Sequence, residues 1–435
     1  MKCLSNSSSK AASFIVKFER EVSYPGLKIA ILGGGLVGRL LAWRLASGIE
    51  QLDTGIDSKL DTDVISDIDT LNHIALEKGT NSDNGITNNS PINGSTISQI
   101  SVFEKGQLAP TEKCERAAAF TAAAMISPLS ELVASEMEIY QLGLQSLNLW
   151  PNWLEEMGIP QHFHPQGSLV LAHPNDLAEL QQFKRDLSFK LNEHNASNKQ
   201  ANTHADTHVD SRTAALQVLN ERQQLENLEP AISQHFQTGL YLPSEAHIDH
   251  NEVLAELILN ATRLGVNFTE NCALEPDNEA LKDYDLIFDC RGTGLKEAGF
   301  RGVRGEVIRI ECKEVTLKRP IRIMHPRYKL YIVPKPNHQF VIGATEIESE
   351  DRSKISLRSS MELMSALYAV NPAFAEARII SQETNLRPAY MNNLPRIDRL
   401  QSIHNKPIIR INGLYRHGYL IGPAMIEQAI QQAFL

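Results

Sequence analysis

Cysteine is scarce and unpatterned. Cys3, Cys114, Cys272, Cys290 and Cys312 lie far apart with no Cys-x-x-Cys spacing. That excludes a disulfide framework and fits reduced thiols in a cytoplasmic protein. A basic excess is also missing: 42 Lys and Arg stand against 52 Asp and Glu, for a net charge of −10. A general nucleic-acid binder needs a basic footprint, so no nucleic-acid partner is expected. No apolar run approaches the roughly 18 residues of a membrane span. The first 25 residues hold only the apolar piece "FIV", soon followed by charges. That is not the core of a signal peptide, and the segment reads as a loose N-terminal extension. No Ser-His-Asp or Cys-His nucleophilic set is implied. His247 and His250 in "HIDH" lack a visible third ligand, and His204 and His208 sit in a polar stretch without other ligands. No metal site is expected.

What is present is a core and a phosphate turn. The 435 residues are 42% apolar, enough for two or three domains or one large α/β unit. "IAILGGGLVGRLLAWRLA" reads as a short strand, a Gly-x-Gly-x-x-Gly turn (Gly33, Gly35, Gly38) and a helix. Glycines there let the backbone approach a pyrophosphate at a positively polarised helix N-terminus. An acid about 20 residues further on, at the end of the next strand, is expected to bind ribose. None follows directly. Residues 49–98 are rich in Asp, Asn, Ser, Thr and Gly, and residues 192–213 are similar. Neither buries enough apolar surface to offset ordering, so both are expected to be disordered or mobile insertions. Subtracting the first brings "QISVFEKG" up to the helix and places Glu104 at the ribose position. These residues alone leave NAD and FAD both open.

Further along, 114–157 reads as largely helical, opening on small residues from Ala117 to Ala124. Such residues admit a flat group or close helix–sheet packing. A strand at 166–174, a helix and strand after His250, and the strand "YDLIFDC" running into Gly292-x-Gly294 follow. From 301 the pattern is strand-rich, then helical, and the chain closes with a strand, a glycine turn and a helix.

Taken in order, "GGGLVGRLLAWRLA", "VFEKG", "ERAAAFTAAAMISPL", "CRGTG", "RGVRGEV", "YIVPKPNHQFVIGATEIES", "NLRPA" and "LYRHGYLIGPA" carry a family likeness. The chain resembles the flavin-dependent amine and amino-acid oxidases that include D-amino acid oxidase and sarcosine oxidase. Within them it is most similar to the glycine-oxidase branch of thiamine biosynthesis. The likeness covers most of the chain outside the N-terminal extension and the two polar segments. It implies an α/β fold: a Rossmann-like FAD-binding domain joined to an α+β substrate domain with a mixed, largely antiparallel sheet. The implied segments are 26–160, 246–300 and 381–435 for the FAD domain, and 161–245 and 301–380 for the substrate domain.

The resemblance also implies the site. FAD is held by Gly33, Gly34, Gly35, Gly38 and Glu104, with Gly292 and Gly294. "HGYLIGPA", containing Gly418 and Gly422, lies against the flavin pyrimidine ring. Tyr331, Arg387 and Arg416 match positions that contact substrate. Arg387 suits a carboxylate clamp, because a guanidinium makes a bidentate fork. The implied reaction moves a hydride from the α-carbon of glycine or a small amine to flavin N5. It yields an imine, and O2 becomes hydrogen peroxide. The imine serves thiazole synthesis, with a possible hand-off to a thiazole synthase and room for a homo-oligomer. A D-amino-acid dehydrogenase, a tRNA-modifying flavin oxidase and a non-catalytic flavoprotein are the alternatives. "AAAFTAAAM", where many relatives carry serine or glycine, departs from the pattern.

Overall fold

The computed structural model describes residues 26–48, 97–110, 115–201, 216–327 and 329–434. The N-terminal extension, residues 49–96, His204 and His208 lie outside the described residues.

In chain order the strands are β1 (Leu27–Leu32), β2 (Ile97–Phe103), β3 (Met125–Ile126), β4 (Phe163–His164), β5 (Ser168–Ala172), β6 (Gln217–Leu219), β7 (Gly239–Leu242), β8 (Ala246–Ile248) and β9 (Asn267–Thr269). They continue as β10 (Leu286–Asp289), β11 (Phe300–Glu311), β12 (Ile321–Met324), β13 (Lys329–Lys335), β14 (Gln339–Gly343), β15 (Arg378–Tyr390), β16 (Arg396–Gln401) and β17 (Pro407–Asn412). The principal helices are α1 (Leu36–Ala46), α2 (Pro128–Leu132), α3 (Met137–Glu156), α4 (Leu177–Ala201), α5 (His250–Arg263), α6 (Leu357–Val370) and α7 (Gly418–Phe434).

A six-stranded sheet runs β16-β17-β10-β1-β2-β9. All neighbours are parallel except the edge pair β16–β17. The parallel strands are continuous apolar runs because both faces are covered, and β1 is buried from Ile29 to Leu32. The largest core joins one face of this sheet to α1, α3, α5 and α7. Helix α7 contains Pro423, which cannot donate to the Tyr419 carbonyl. The Trp150 Nε1–H of α3 donates to that carbonyl instead, at 2.8 Å, and Ser146 Oγ accepts the Ala424 N–H at 3.1 Å. Two side chains of α3 thus satisfy the backbone that the proline disturbs.

The second sheet has eight strands in the order β15-β11-β14-β13-β12-β5-β7-β6, antiparallel except at β5–β12. Strand β15 pairs with β11 along nearly its whole length, so the segment expected to begin at 381 starts inside a strand of this second sheet. A local alternation cannot assign a strand to one sheet or the other; the pairing partner does. Three further expectations are corrected. Residues 117–124 do not open a helix: only Ala118–Phe120 form a single tight turn, in a loop that ends on Ala124 with φ of 55°. The second polar segment is not wholly irregular, because α4 continues through Ala201. Ile97 and Ser98 belong to β2 and not to the first polar segment.

A three-stranded sheet, β3-β8-β4, carries a buried basic cluster. The His164 and His247 rings stack 4.6 Å apart, and Asp249 Oδ2 lies 2.8 Å from His164 Nε2 and 3.2 Å from His162 Nδ1. Lys335 Nζ, from β13, donates to the Ile248 carbonyl. Burial pulls the Lys335 ammonium down to about 7, against the pull of Asp249. The unfolded chain therefore binds a proton that the folded chain lacks between pH 7 and 10.5, and wild type gains stability as pH rises through that window. Relative to Lys335→Met, wild type is expected to gain up to about 1.4 kcal/mol per pH unit from pH 7 to 10. Thermal melts of both proteins across that range check it. A constant difference would rule out a buried, depressed lysine.

Candidate active site

One cavity of about 540 Å³ opens where the two large sheets meet. Gly33, Gly34, Gly35 and Glu104 line it from the β1–α1 and β2 ends, and Gly292 and Gly294 from the turn after β10. Gly418 lies at the start of α7, and Tyr331, Arg387 and Arg416 complete the expected set. Gly38 and Gly422 are not among the lining residues. At Gly38 a Cβ would sit 1.9 Å from the Gly33 carbonyl oxygen, so this glycine lets α1 close onto the turn. Gly422 faces Leu36 and Leu40 of α1 at ordinary contact distance.

The relocated acid meets the turn directly. β1 and β2 pair in parallel, which brings Glu104 beside Gly34. The Gly34 N–H donates to Glu104 Oε2 at 2.6 Å and the Gly106 N–H to Oε1 at 3.0 Å. Across the sheet, Asp289 at the end of β10 is fully buried and bonded by Arg291 at 2.8 Å and Arg410 at 3.0 Å. Burial would raise its pKa, but the two guanidinium groups, Arg291 foremost, hold it below the usual carboxylate range. Asn412 Nδ2 donates to the Gly292 carbonyl at 3.0 Å. These bonds fasten the Gly292-x-Gly294 turn to β17.

The wall opposite is one face of the eight-stranded sheet. Arg387 stands on β15 and Tyr331 on β13, with β11 and β14 between them. Those two middle strands carry glycine where the side chains lean inward. A Cβ at Gly305 would lie 2.4 Å from the Arg387 guanidinium, and one at Gly343 would lie 2.7 Å from the Tyr331 hydroxyl. The result is a glycine-floored trough with a guanidinium over one side and a phenol over the other. Arg387 donates to the carbonyls of Arg304 at 3.3 Å and Thr345 at 3.0 Å. Among the described residues it has no carboxylate in ion-pair range. Burial raises the Tyr331 pKa against the opposing charge of Arg387, so the phenol keeps its proton at neutral pH.

Arg416 differs from Arg387. It is neutralised by Glu131 Oε2 and Glu346 Oε2, each at 3.0 Å. Glu131 is also paired with Arg322 at 2.6 Å and His417 at 3.2 Å. Burial would raise the Glu131 pKa, but Arg322, Arg416 and His417 hold it well below the usual range. The expected direct substrate role of Arg416 thus meets a side chain already occupied by two carboxylates. Arg322, Glu131 and Glu346 all line the cavity and were not expected from the sequence. Arg322 stands directly opposite Tyr331 on β12, a neighbour that only strand pairing reveals.

Residues Ala117 to Ala124 cover the cavity as an extended loop. Asn385 Nδ2 holds it through the Arg116 and Ala117 carbonyls and Thr121 Oγ1, at 3.1–3.2 Å. Their small side chains leave room where larger ones would fill the space. Gly35 has similar room: a Cβ there would meet only Ala117 Cβ, at 3.4 Å. A dinucleotide fits this donor set. Cradling glycines at a helix N-terminus and an acid at the strand end stand on one side, and Ser127 Oγ is buried without a partner among the described residues.

Comparisons with known proteins give the family. Residues 97–431 match the family described as FAD dependent oxidoreductase; the match begins at β2, after the polar segment that separates it from the glycine turn. A Rhizobium etli protein, named for thiamine biosynthesis as the oxidoreductase ThiO, is 35% identical over 313 residues, covering 72% of this chain and 83% of that protein. The glycine oxidase of Geobacillus kaustophilus superposes with a TM-score of 0.64 at 18% identity, covering 94% of each chain. An L-α-glycerophosphate oxidase from Mycoplasma pneumoniae with FAD bound gives 0.57 at 13% identity, covering 94% and 95%. No helix among the described residues is long and apolar enough to cross a membrane. The chain belongs to the FAD-dependent oxidoreductase family and is an FAD-dependent oxidoreductase, similar in sequence to the ThiO protein and in fold to the glycine oxidase.

Proposed function

We propose that this enzyme oxidises glycine or a similarly small amino acid or amine to its imine. The observation that carries the reading is the trough. Arg387 is an ion-pair-free guanidinium leaning over glycine from one side, with a protonated Tyr331 leaning over glycine from the other. Both share one cavity with the dinucleotide turn. Gly33, Gly34, Gly35, Glu104, Gly292 and Gly294 would hold the ADP half of FAD, and the N-terminal end of α7 at Gly418 would lie by the flavin. FAD bound there supplies a two-electron acceptor whose electrons pass to O2, giving hydrogen peroxide.

The chain's own residues do the rest. Arg387 receives the substrate carboxylate through two N–H groups, and the Tyr331 hydroxyl donates a further hydrogen bond to it. This anchors the substrate so that its α-carbon and amine project away from the sheet. Glu131 and Glu346 are both tied to Arg416, so neither is free to take the ammonium proton, and the amine enters neutral. Arg416 and Arg322 act through Glu131 to hold α2 and the loop before α7 in place. The kinship with ThiO supports a role in supplying the imine for thiazole formation, handed to a thiazole synthase.

The test is spectroscopic. Purified enzyme is expected to be yellow and, without oxygen, to bleach when glycine is added. Readmitting O2 should restore the colour with one hydrogen peroxide per glycine consumed. Bleaching without recovery under O2 would assign a dehydrogenase; no bleaching with glycine, sarcosine or D-alanine would overturn the substrate class.

A further inference from the structure

Arg39 carries a second cavity-lining guanidinium with no carboxylate in ion-pair range among the described residues. It is 1% exposed, on α1, and lines the cavity. Its nitrogens donate to three carbonyls from three separate segments. Nε bonds Gly34 of the turn at 2.7 Å, Nη1 bonds Leu254 of α5 at 2.7 Å, and Nη2 bonds Leu108 after β2 at 2.5 Å. Its Cζ lies 5.1 Å from the ring centroid of Phe120 in the covering loop. Among the described residues, no carboxylate lies in ion-pair range.

A buried charge that meets only neutral acceptors is costly unless another charge offsets it. Burial pulls the Arg39 pKa down to about 10, so the group remains a cation at neutral pH. The two peptide groups flanking Gly34 are fixed from opposite sides. Glu104 takes the N–H at 2.6 Å and Arg39 holds the C=O. Hydrogen bonding of that carbonyl to a cation also polarises the Gly34–Gly35 peptide of the turn.

We propose that Arg39 is a positioning residue for the dinucleotide. It locks the glycine turn in its binding orientation, and its charge, offset by Glu104 and Glu270 only from beyond ion-pair range, favours the pyrophosphate of FAD. The proposal rests on the FAD dependence of the family and is independent of which amine is oxidised. Loss of glycine turnover with normal FAD binding would count against the proposed substrate alone.

The test compares wild type, Arg39→Met and Arg39→Lys as apoproteins, by FAD titration and by melting with and without saturating FAD. Arg39→Met is expected to weaken FAD binding by about tenfold or more. It should remove most of the Tm gain that FAD confers, and flatten the fall of affinity with added salt. Arg39→Lys keeps the charge but reaches fewer carbonyls, and should fall between. An Arg39→Met protein that binds FAD within about twofold of wild type, with the same salt dependence, would reduce Arg39 to a packing residue. If Arg39→Met does not fold, ADP and adenosine are compared on wild type and Arg39→Lys. A larger Tm gain from ADP in wild type that shrinks in Arg39→Lys supports the proposal. Equal gains from both ligands, or an unchanged ADP advantage, overturn it.

Discussion

Arg387→Ala is expected to lower kcat/KM for glycine by about ten- to a hundredfold while FAD stays bound. The loss corresponds to the roughly 1.5–3 kcal/mol of a charged hydrogen bond to the carboxylate. Arg387→Lys keeps the charge and loses the fork, so it should fall less. Tyr331→Phe removes one neutral donor and should lose least. A further variant follows from the floor of the trough. A Cβ at Gly305 would lie 2.4 Å from the Arg387 guanidinium. Gly305→Ala therefore has to push that flexible end aside, leaving the sheet intact. It is expected to mimic much of Arg387→Ala in kcat/KM with little change in Tm. Steady-state kinetics with glycine and with ethylamine, which has no carboxylate, separate the roles. If ethylamine and glycine lose activity equally, Arg387 supports the sheet and is no clamp. If neither changes, the residue lies outside the substrate's reach.

The second large effect is expected at Gly38. The glycine turn is sterically closed at Gly33, where a Cβ would lie 2.6 Å from the Cys290 carbonyl oxygen, and more tightly at Gly38, while Gly35 is open. A Cβ at Gly38 would meet the Gly33 carbonyl at 1.9 Å, an immovable backbone atom. At Gly35 the nearest atom is a methyl at 3.4 Å. Gly38→Ala must therefore separate α1 from β1, which carries the turn. It is expected to destabilise the protein by about 3 kcal/mol or more, above the ordinary range for overpacking, and to yield colourless apoprotein. Gly35→Ala should fold with a normal Tm, because its methyl projects into the cavity and not into the protein, and should weaken FAD binding from there. Tm of the two purified apoproteins decides it. Equal Tm in both would mean that the turn tolerates a shift the close contact forbids.

Much of the architecture was legible in the chain because it is local. A strand that ends in glycine and leads into a helix is specified by residues within one stretch, as at Leu27–Ala46, and so is the strand running into Gly292. The place of Glu104 beside the turn was legible too, once a polar stretch with little large apolar content was set aside.

What composition and periodicity could not reach is pairing. The small residues from Ala117 to Ala124 favour a helix by propensity, yet Asn385, Arg309 and Tyr419 take carbonyls of that segment from distant elements and hold it as a loop. Arg387 in "NLRPA" and Arg416 in "LYRHG" carry the same expectation from the sequence, a contact with substrate. Tertiary structure gives two carboxylates to Arg416 and none to Arg387, and so decides which guanidinium is left for a ligand. Arg39 is a lone charge among apolar neighbours in the first half of α1, and nothing local shows what it meets. Only the fold encloses it among three carbonyls. The sequence by itself determined the strands, the turns and the type of cofactor fold, because those depend on near neighbours. The tertiary structure decided which charges are spent and which remain free, because electrostatic partners are set by the long-range pairing of strands and not by spacing along the chain.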